Sequence, residues 1–264
     1  MQHRGILVIQ ILLTSFFVFT GIYFNYTNQE LLTRYTKEDG FIEWMTFLLF
    51  LSLFIFLSIH NIWHFFIKKN PLLKLSSGVL IGLQFVFLFG AMEEVSWLQR
   101  IADVQSSDFF LQHNRQAETN LHNLRVYGVN INKLIFGKFL FLFALFHNLF
   151  LPLIVRKKKN IAKWIDQRGF FIPPLPLCIT YIMAAIVIEL FIDHARAKEH
   201  LEVVGAIHYF LAIFTAYGLG YLKEQALFKN ASNFLTYSLL SGYLFMLTFI
   251  SWILGNISLK DFML

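Results

Sequence analysis

The chain has 264 residues, of which 57% are hydrophobic, 18% aromatic and 14% charged, with a formal net charge of +6. A soluble domain carries about 25% charged residues and has no interior large enough for this much apolar surface. The composition therefore argues against a soluble enzyme, a disordered chain and a disulfide scaffold, and the single cysteine, Cys178, rules out an intrachain disulfide or a C-x-x-C site.

Crossing a bilayer takes about 20 apolar residues in a helix, and seven stretches qualify. The first, 6–24, resembles a signal-peptide core but runs longer and lacks a small-residue cleavage site, so a retained anchor helix is expected. The second, 41–67, follows Glu38-Asp39-Gly40 and carries Glu43 one turn in; His60 and His64 share a face at its far end, with no acid beside them. The third, 78–97, ends on Glu93, Glu94 and Trp97. The connection over 98–138 alternates aromatic and polar positions, which predicts one or two short amphipathic helices on the face of the bundle. The fourth run, 139–155, precedes Arg156-Lys157-Lys158-Lys159. The fifth, 171–192, opens with Pro173, Pro174 and Pro176 and closes near Glu189 and Asp193. The sixth, 203–222, and the seventh, 234–254, complete one all-α integral membrane domain covering 1–264.

Basic residues orient the bundle. With the N-terminus in the cytoplasm, the inner segments hold 12 Lys and Arg against two acids, Asp166 and Glu224, and the outer segments hold the other 10 bases and 14 acids. The reading is seven helices, N-in and C-out, in a bacterial cytoplasmic membrane. The bases are scattered between apolar runs, so membrane lipid and not nucleic acid is the expected partner. The sequence does not identify a protein partner.

Acids inside spans carry the functional signal, because a buried carboxylate is costly unless paired, hydrated or protonated. Glu43, Glu93, Glu94, Glu189 and Asp193 fall at one membrane level, on the outer side. Arg100 is seven residues from Glu93. Glu189, Asp193, Arg196 and His200 follow the spacing of one helical stripe. His113, His122, His194, His200 and His208 are expected on the same side. Histidine with carboxylate is both a common metal-ligand set and a common acid–base pair. The middles of the helices look nearly bare, with Gln10, Gln84 and a few hydroxyls, which counts against a transport path.

These residues define a candidate pocket at the outer face. Glu93, Glu94, His122, Glu189 and Asp193 are its candidate catalytic groups. Arg100, Arg196, Trp97 and Asn120 are candidate substrate contacts, and His122, His200 and Glu94 are candidate ligands for a divalent metal. The expected activity is that of a membrane-embedded enzyme on a lipid, lipid-linked or membrane-peptide substrate. A non-catalytic subunit of a cell-envelope complex is the alternative, and a transporter the third reading. An enzyme should lose more function from Glu94→Gln than from Trp97→Ala; a subunit should show the reverse order.

Three segments also carry a resemblance: Glu38-Asp39-Gly40 with Glu43-Trp44; Glu93-Glu94-Val95-Ser96-Trp97-Leu98-Gln99-Arg100; and the stretch from Asn114 to Asn123 with the pattern N-x-Q-x-E-x-N-L-H-N. Together they resemble a group of multi-pass bacterial membrane proteins, over residues 38–123. The resemblance implies a membrane fold and points to the same loop and helix ends. Glu93-Glu94 and the F-x-x-x-H spacing of Phe143 and His147 are similar to intramembrane proteases of the CAAX-processing type, although Leu98 stands at that family's arginine position. Seven helices with scattered histidines also resemble alkaline-ceramidase-like hydrolases, without their local spacing.

Overall fold

The computed structural model describes residues 4–63, 74–99, 102–115, 117–121, 123–127, 129–131, 138–220, 226–228 and 231–256. Each of the seven apolar runs is helical over most of its described length. They form α1 (Arg4–Thr27), α3 (Phe41–Ile62), α4 (Lys74–Glu94), α6 with α7 (Leu140–Leu145, Leu151–Lys157), α9 (Leu175–Phe191), α10 (Ala197–Ile213) and α11 (Asn233–Asn256). Shorter helices are α2 (Gln29–Thr36), α5 (Asp108–His113) and α8 (Lys159–Gln167), and Arg125–Val126 pairs antiparallel with Val129–Asn130 as the hairpin β1–β2. Five stretches among the described residues are long and apolar enough to cross a membrane: Arg4–Thr27, Gln29–Ile62, Leu140–Lys157, Ala197–Gly218 and Asn233–Asn256; Leu175–Phe191 is apolar but shorter.

Three helix boundaries differ from the sequence expectation. The run 78–97 leaves the helix after Glu94, because a left-handed turn follows. Helix α4 thus ends one residue after Glu93, and Arg100, expected on the same helical face, lies outside the described residues. The run 171–192 becomes helical only at Leu175, where Pro176 takes a first-turn position that costs no hydrogen bond. The sixth helix starts early, at Ala197. Since α9 stops at Phe191, the series Glu189, Asp193, Arg196, His200 is broken by a turn and is not one stripe. Among its described residues the loop 98–138 holds one short helix, α5, and the hairpin, and α8 adds an amphipathic helix on the basic side that the sequence reading lacked.

Helix α10 is the centre of the bundle. From Val203 to Gly218 only Gly205 and Tyr209 are not fully buried. α3 packs against α4, α10 and α11, while α1 packs against α9 and α10. The outward sides are apolar: Phe19, Phe85, Leu190 and Phe245 are all more than 65% exposed. Helices apolar on both sides need a non-aqueous surrounding.

Side-chain bonds show which helix ends lie together. Asn25, near the end of α1, donates to the Phe191 carbonyl at the end of α9 (3.4 Å). Arg196, just before α10, donates to the Thr36 carbonyl (3.1 Å). Gly255, at the end of α11, abuts the backbone of Phe41 at the start of α3. The packing at this end depends on small residues. A Cβ on Gly21 would lie 2.5 Å from Nε2 of the fully buried His200 and 2.7 Å from Cδ1 of Ile192. Gly21→Ala is thus expected to cost about 1–3 kcal/mol, the usual penalty of overpacking. A thermal melt of the purified protein measures it, and an unchanged midpoint would disprove the tight α1–α10 seam.

Candidate functional site

The two longest sequence motifs fold onto each other. After α4, Ser96, Trp97 and Leu98 all take positive φ (47°, 57° and 60°). Left-handed backbone costs about 1–2 kcal/mol per non-glycine residue, so such a turn persists only where its surroundings hold it. Here the second motif does the holding. Glu93 is buried; its Oε1 accepts from the Trp97 indole (2.8 Å) and its Oε2 from the Leu121 backbone N–H (2.7 Å). Ser96 Oγ donates to Glu118 Oε2 (2.5 Å) and accepts from Asn120 Nδ2 (2.8 Å). Gln99 Oε1 accepts from the Thr119 backbone (2.7 Å) and from Ser106 (3.0 Å). Asn114 Nδ2 donates to both the carbonyl and Oδ1 of Asn120, each at 2.9 Å, and Asn120 Oδ1 also accepts from the Asn123 backbone (3.0 Å). With a second donation to Glu118 Oε2 (3.3 Å) the Asn120 amide uses both oxygen lone pairs and both hydrogens, and the described residues of 93–124 become a cap over the end of α4.

This geometry separates the two adjacent glutamates. Glu93 is a tie for the cap. Glu94 is half-buried and, among the described residues, accepts no hydrogen bond. It sits where Glu202, Glu43, Glu199 and Glu93 all act on it electrostatically. Five carboxylates from α3, α4 and the first two turns of α10 therefore gather at one end of the bundle. Glu43 also reaches back to accept from the Asp39 backbone N–H, which closes the start of α3. Carboxylates that act on one another in this way relieve their repulsion by taking up protons or gathering a cationic group, and Lys198 acts on Glu202 with the opposite sign.

The other predicted residues are placed differently. Trp97 is 45% exposed and engaged through its indole; Asn120 is buried in the cap and presents nothing to a substrate. Arg196 Nη2 pairs with Glu38 Oε1 (3.3 Å), so it braces the α2–α3 corner. Glu189 and Asp193 are exposed, at the end of α9 and in the turn after it. His200 is fully buried against Gly21 and stacked on Tyr35 at 5.9 Å. His122 lies outside the described residues. Among those residues no group of three His, Cys, Asp or Glu side chains has metal-binding geometry. Glu199 and Glu202 were missed because the sixth helix was expected to begin at 203. Their i, i+3 spacing just ahead of an apolar run was the available signal.

The helix middles are also less bare than expected. His208, assigned from sequence to the outer side, is fully buried midway along the Ala197–Gly218 stretch. Its Nε2 donates to Asn148 Oδ1 (2.7 Å), and its Nδ1 lies 3.5 Å from Gln10 Nε2. His147 and Asn148 share a π-helical turn, Phe146–Phe150. Nearby, residues 170–174 are not helical, and backbone polar groups buried at this depth need partners. Within the segment His147 donates to the Phe171 carbonyl (3.2 Å), and its two flanks are tied down as well, by Tyr217 to the Gly169 carbonyl (2.6 Å) and Gln10 to that of Leu177 in the first turn of α9 (2.8 Å). This interior network fastens an irregular segment.

His147 stacks on Tyr209 at 5.7 Å. Tyr209 lies seven to ten residues beyond Glu202 and Glu199 on α10, about 10–15 Å along its axis. The F-x-x-x-H histidine and the paired glutamates thus do not meet as a protease site of that type requires. No protein-family model, curated protein or solved structure matches this chain.

Proposed function

We propose that the protein is a seven-helix integral membrane protein, N-in and C-out, that works as a membrane-embedded enzyme with its site at the extracytoplasmic end. The substrate class is a lipid, a lipid-linked compound or a membrane peptide. The setting is a bacterial cytoplasmic membrane, supported by the basic inner segments, where α8 exposes Lys159, Lys163 and Trp164.

The observation that carries the reading is Glu94. A carboxylate that is half-buried, accepts no hydrogen bond among the described residues and lies in the field of four others is not spent on holding the fold. Exchanging a proton between closely set carboxylates is the chemistry of general acid–base catalysis. Glu94 is assigned as the acid–base residue, with Glu43 and Glu202 as its partners. Glu93, Ser96, Trp97, Glu118 and Asn120 position the cap above it.

The test is a comparison of wild type with Glu94→Gln. Both are reconstituted in vesicles of bacterial lipid extract that includes lipid-linked intermediates, and the lipids are profiled by mass spectrometry. Wild type should convert at least one species; Glu94→Gln should fall by about 100-fold or more, the scale of a lost general acid or base, with an unchanged melting temperature. The subunit reading is favoured by one observation, the hydrogen-bonded cap. It predicts no conversion by either protein, and co-purification of a partner that Trp97→Ala abolishes.

A further inference from the structure

On the side of the bundle formed by α1 and α11, two cavities of about 340 Å³ each adjoin at Phe16 and make one groove. Its lower part is walled by Leu12, Leu13, Leu244 and Phe245. Its upper part is walled by Phe24, Phe41 and Trp252 and ends at Arg34 and Asn256. The polar atoms near the top are mostly committed. Thr20 donates to helix carbonyls and bonds with the Tyr35 hydroxyl (3.1 Å), and Asn256 Nδ2 donates to the Trp252 carbonyl (2.7 Å). Arg34 is different: among the described residues no carboxylate pairs with it, whereas Arg196 nearby is paired with Glu38. An exposed guanidinium thus stands at the mouth of an apolar groove, at the end of the molecule where acids predominate.

The dimensions suit one ligand class. From Thr20 down to Ile9 the axis of α1 runs about 16 Å, close to half of a hydrocarbon core about 30 Å thick. Gly255 closes the top, pressed against the Phe41 backbone so that α11 and α3 touch there. A chain entering beside Arg34 therefore runs down the α1–α11 seam for the depth of one leaflet. Guanidinium binds a phosphate oxygen pair through two parallel N–H bonds.

We infer that the α1–α11 groove is a binding site for an anionic phospholipid, with an acyl chain along the seam and the phosphate on Arg34. This rests on the membrane-spanning reading above but not on the assignment of Glu94 as a catalytic residue. The site lies on the α1, α2 and α11 side of Tyr35, and the carboxylate group lies among α3, α4 and α10.

The experiment uses the full chain, reconstituted in nanodiscs with equal phosphatidylglycerol and phosphatidylcholine, then released for native mass spectrometry. Wild type should retain phosphatidylglycerol over phosphatidylcholine. Arg34→Ala should lower that retention about tenfold, as expected for loss of a charge-assisted contact, and Arg34→Lys should restore part of it. Ser241→Trp, which fills the lower groove from an exposed position, should lower retention of either lipid. Equal retention of the two lipids by wild type would overturn the inference, as would phosphatidylglycerol retention unchanged in both Arg34→Ala and Ser241→Trp. Alkaline carbonate extraction of the membrane-expressed chain separates the two failures. Release into the supernatant refutes the membrane reading itself. A chain that stays with the membrane but shows no lipid preference refutes only the groove.

Discussion

Replacing Glu93 by alanine is expected to lower the melting temperature of the detergent-purified protein by about 6–12 °C, whereas Glu94→Gln leaves it in place. Glu93 is buried and accepts the Trp97 indole and the Leu121 backbone N–H. Its removal strands two donors, one of them on the backbone. Bonds to a charged acceptor are worth about 1.5–3 kcal/mol each, so the loss is about 3 kcal/mol or more. For a chain of this size each kcal/mol shifts the midpoint by about 2–4 °C. The left-handed turn at 96–98 adds to the effect, since it loses one of the contacts that offset its strain. Glu93→Gln keeps one acceptor and should fall between. Equal midpoints for the Glu93 and Glu94 variants would show that the two adjacent acids do not have separate roles.

The second large effect is expected at Gly255. A Cβ there would come 2.5 Å from the Phe41 backbone nitrogen and 2.8 Å from its Cα. Backbone at the start of a helix cannot swing aside as a side chain does, so Gly255→Ala must push α11 away from α3. A loss near the upper end of the overpacking range, about 3 kcal/mol, is expected. Gly242 lies on the same helix with nothing within 4 Å of its would-be Cβ. Gly242→Ala should therefore be neutral or stabilise by up to about 1 kcal/mol, since alanine gives up less conformational freedom than glycine in a helix. Thermal melts of the pair read the difference. A midpoint for Gly255→Ala as high as for Gly242→Ala would mean that α11 is not clamped at that end.

Much of the fold was legible in the apolar pattern. A run of about 20 apolar residues has few alternatives to a helix, because no other local structure satisfies its backbone away from water. All seven runs are accordingly helical over most of their described length. Their ends were less legible. Hydropathy does not register the left-handed turn after Glu94, the irregular stretch at 170–174 or the early start of α10 at Ala197. The first two are held by hydrogen bonds to residues distant in sequence: Glu118 for the turn, and His147 for the stretch, with Gln10 and Tyr217 on its flanks.

The candidate site divides in the same way. Motif spacing was enough to single out Glu93, Glu94, Trp97 and Asn120, since acids and amides near a span end are rare and costly. It did not separate their roles. That Glu93 and Asn120 hold a cap, that Glu94 lies in the field of carboxylates from α3 and α10, and that His200 turns to α1 depend on which helices are neighbours. Composition and periodicity act within one helix and so determined which segments are helical and which end of the bundle is acidic. Partnership between side chains requires two elements to meet, and only the packed bundle decided that.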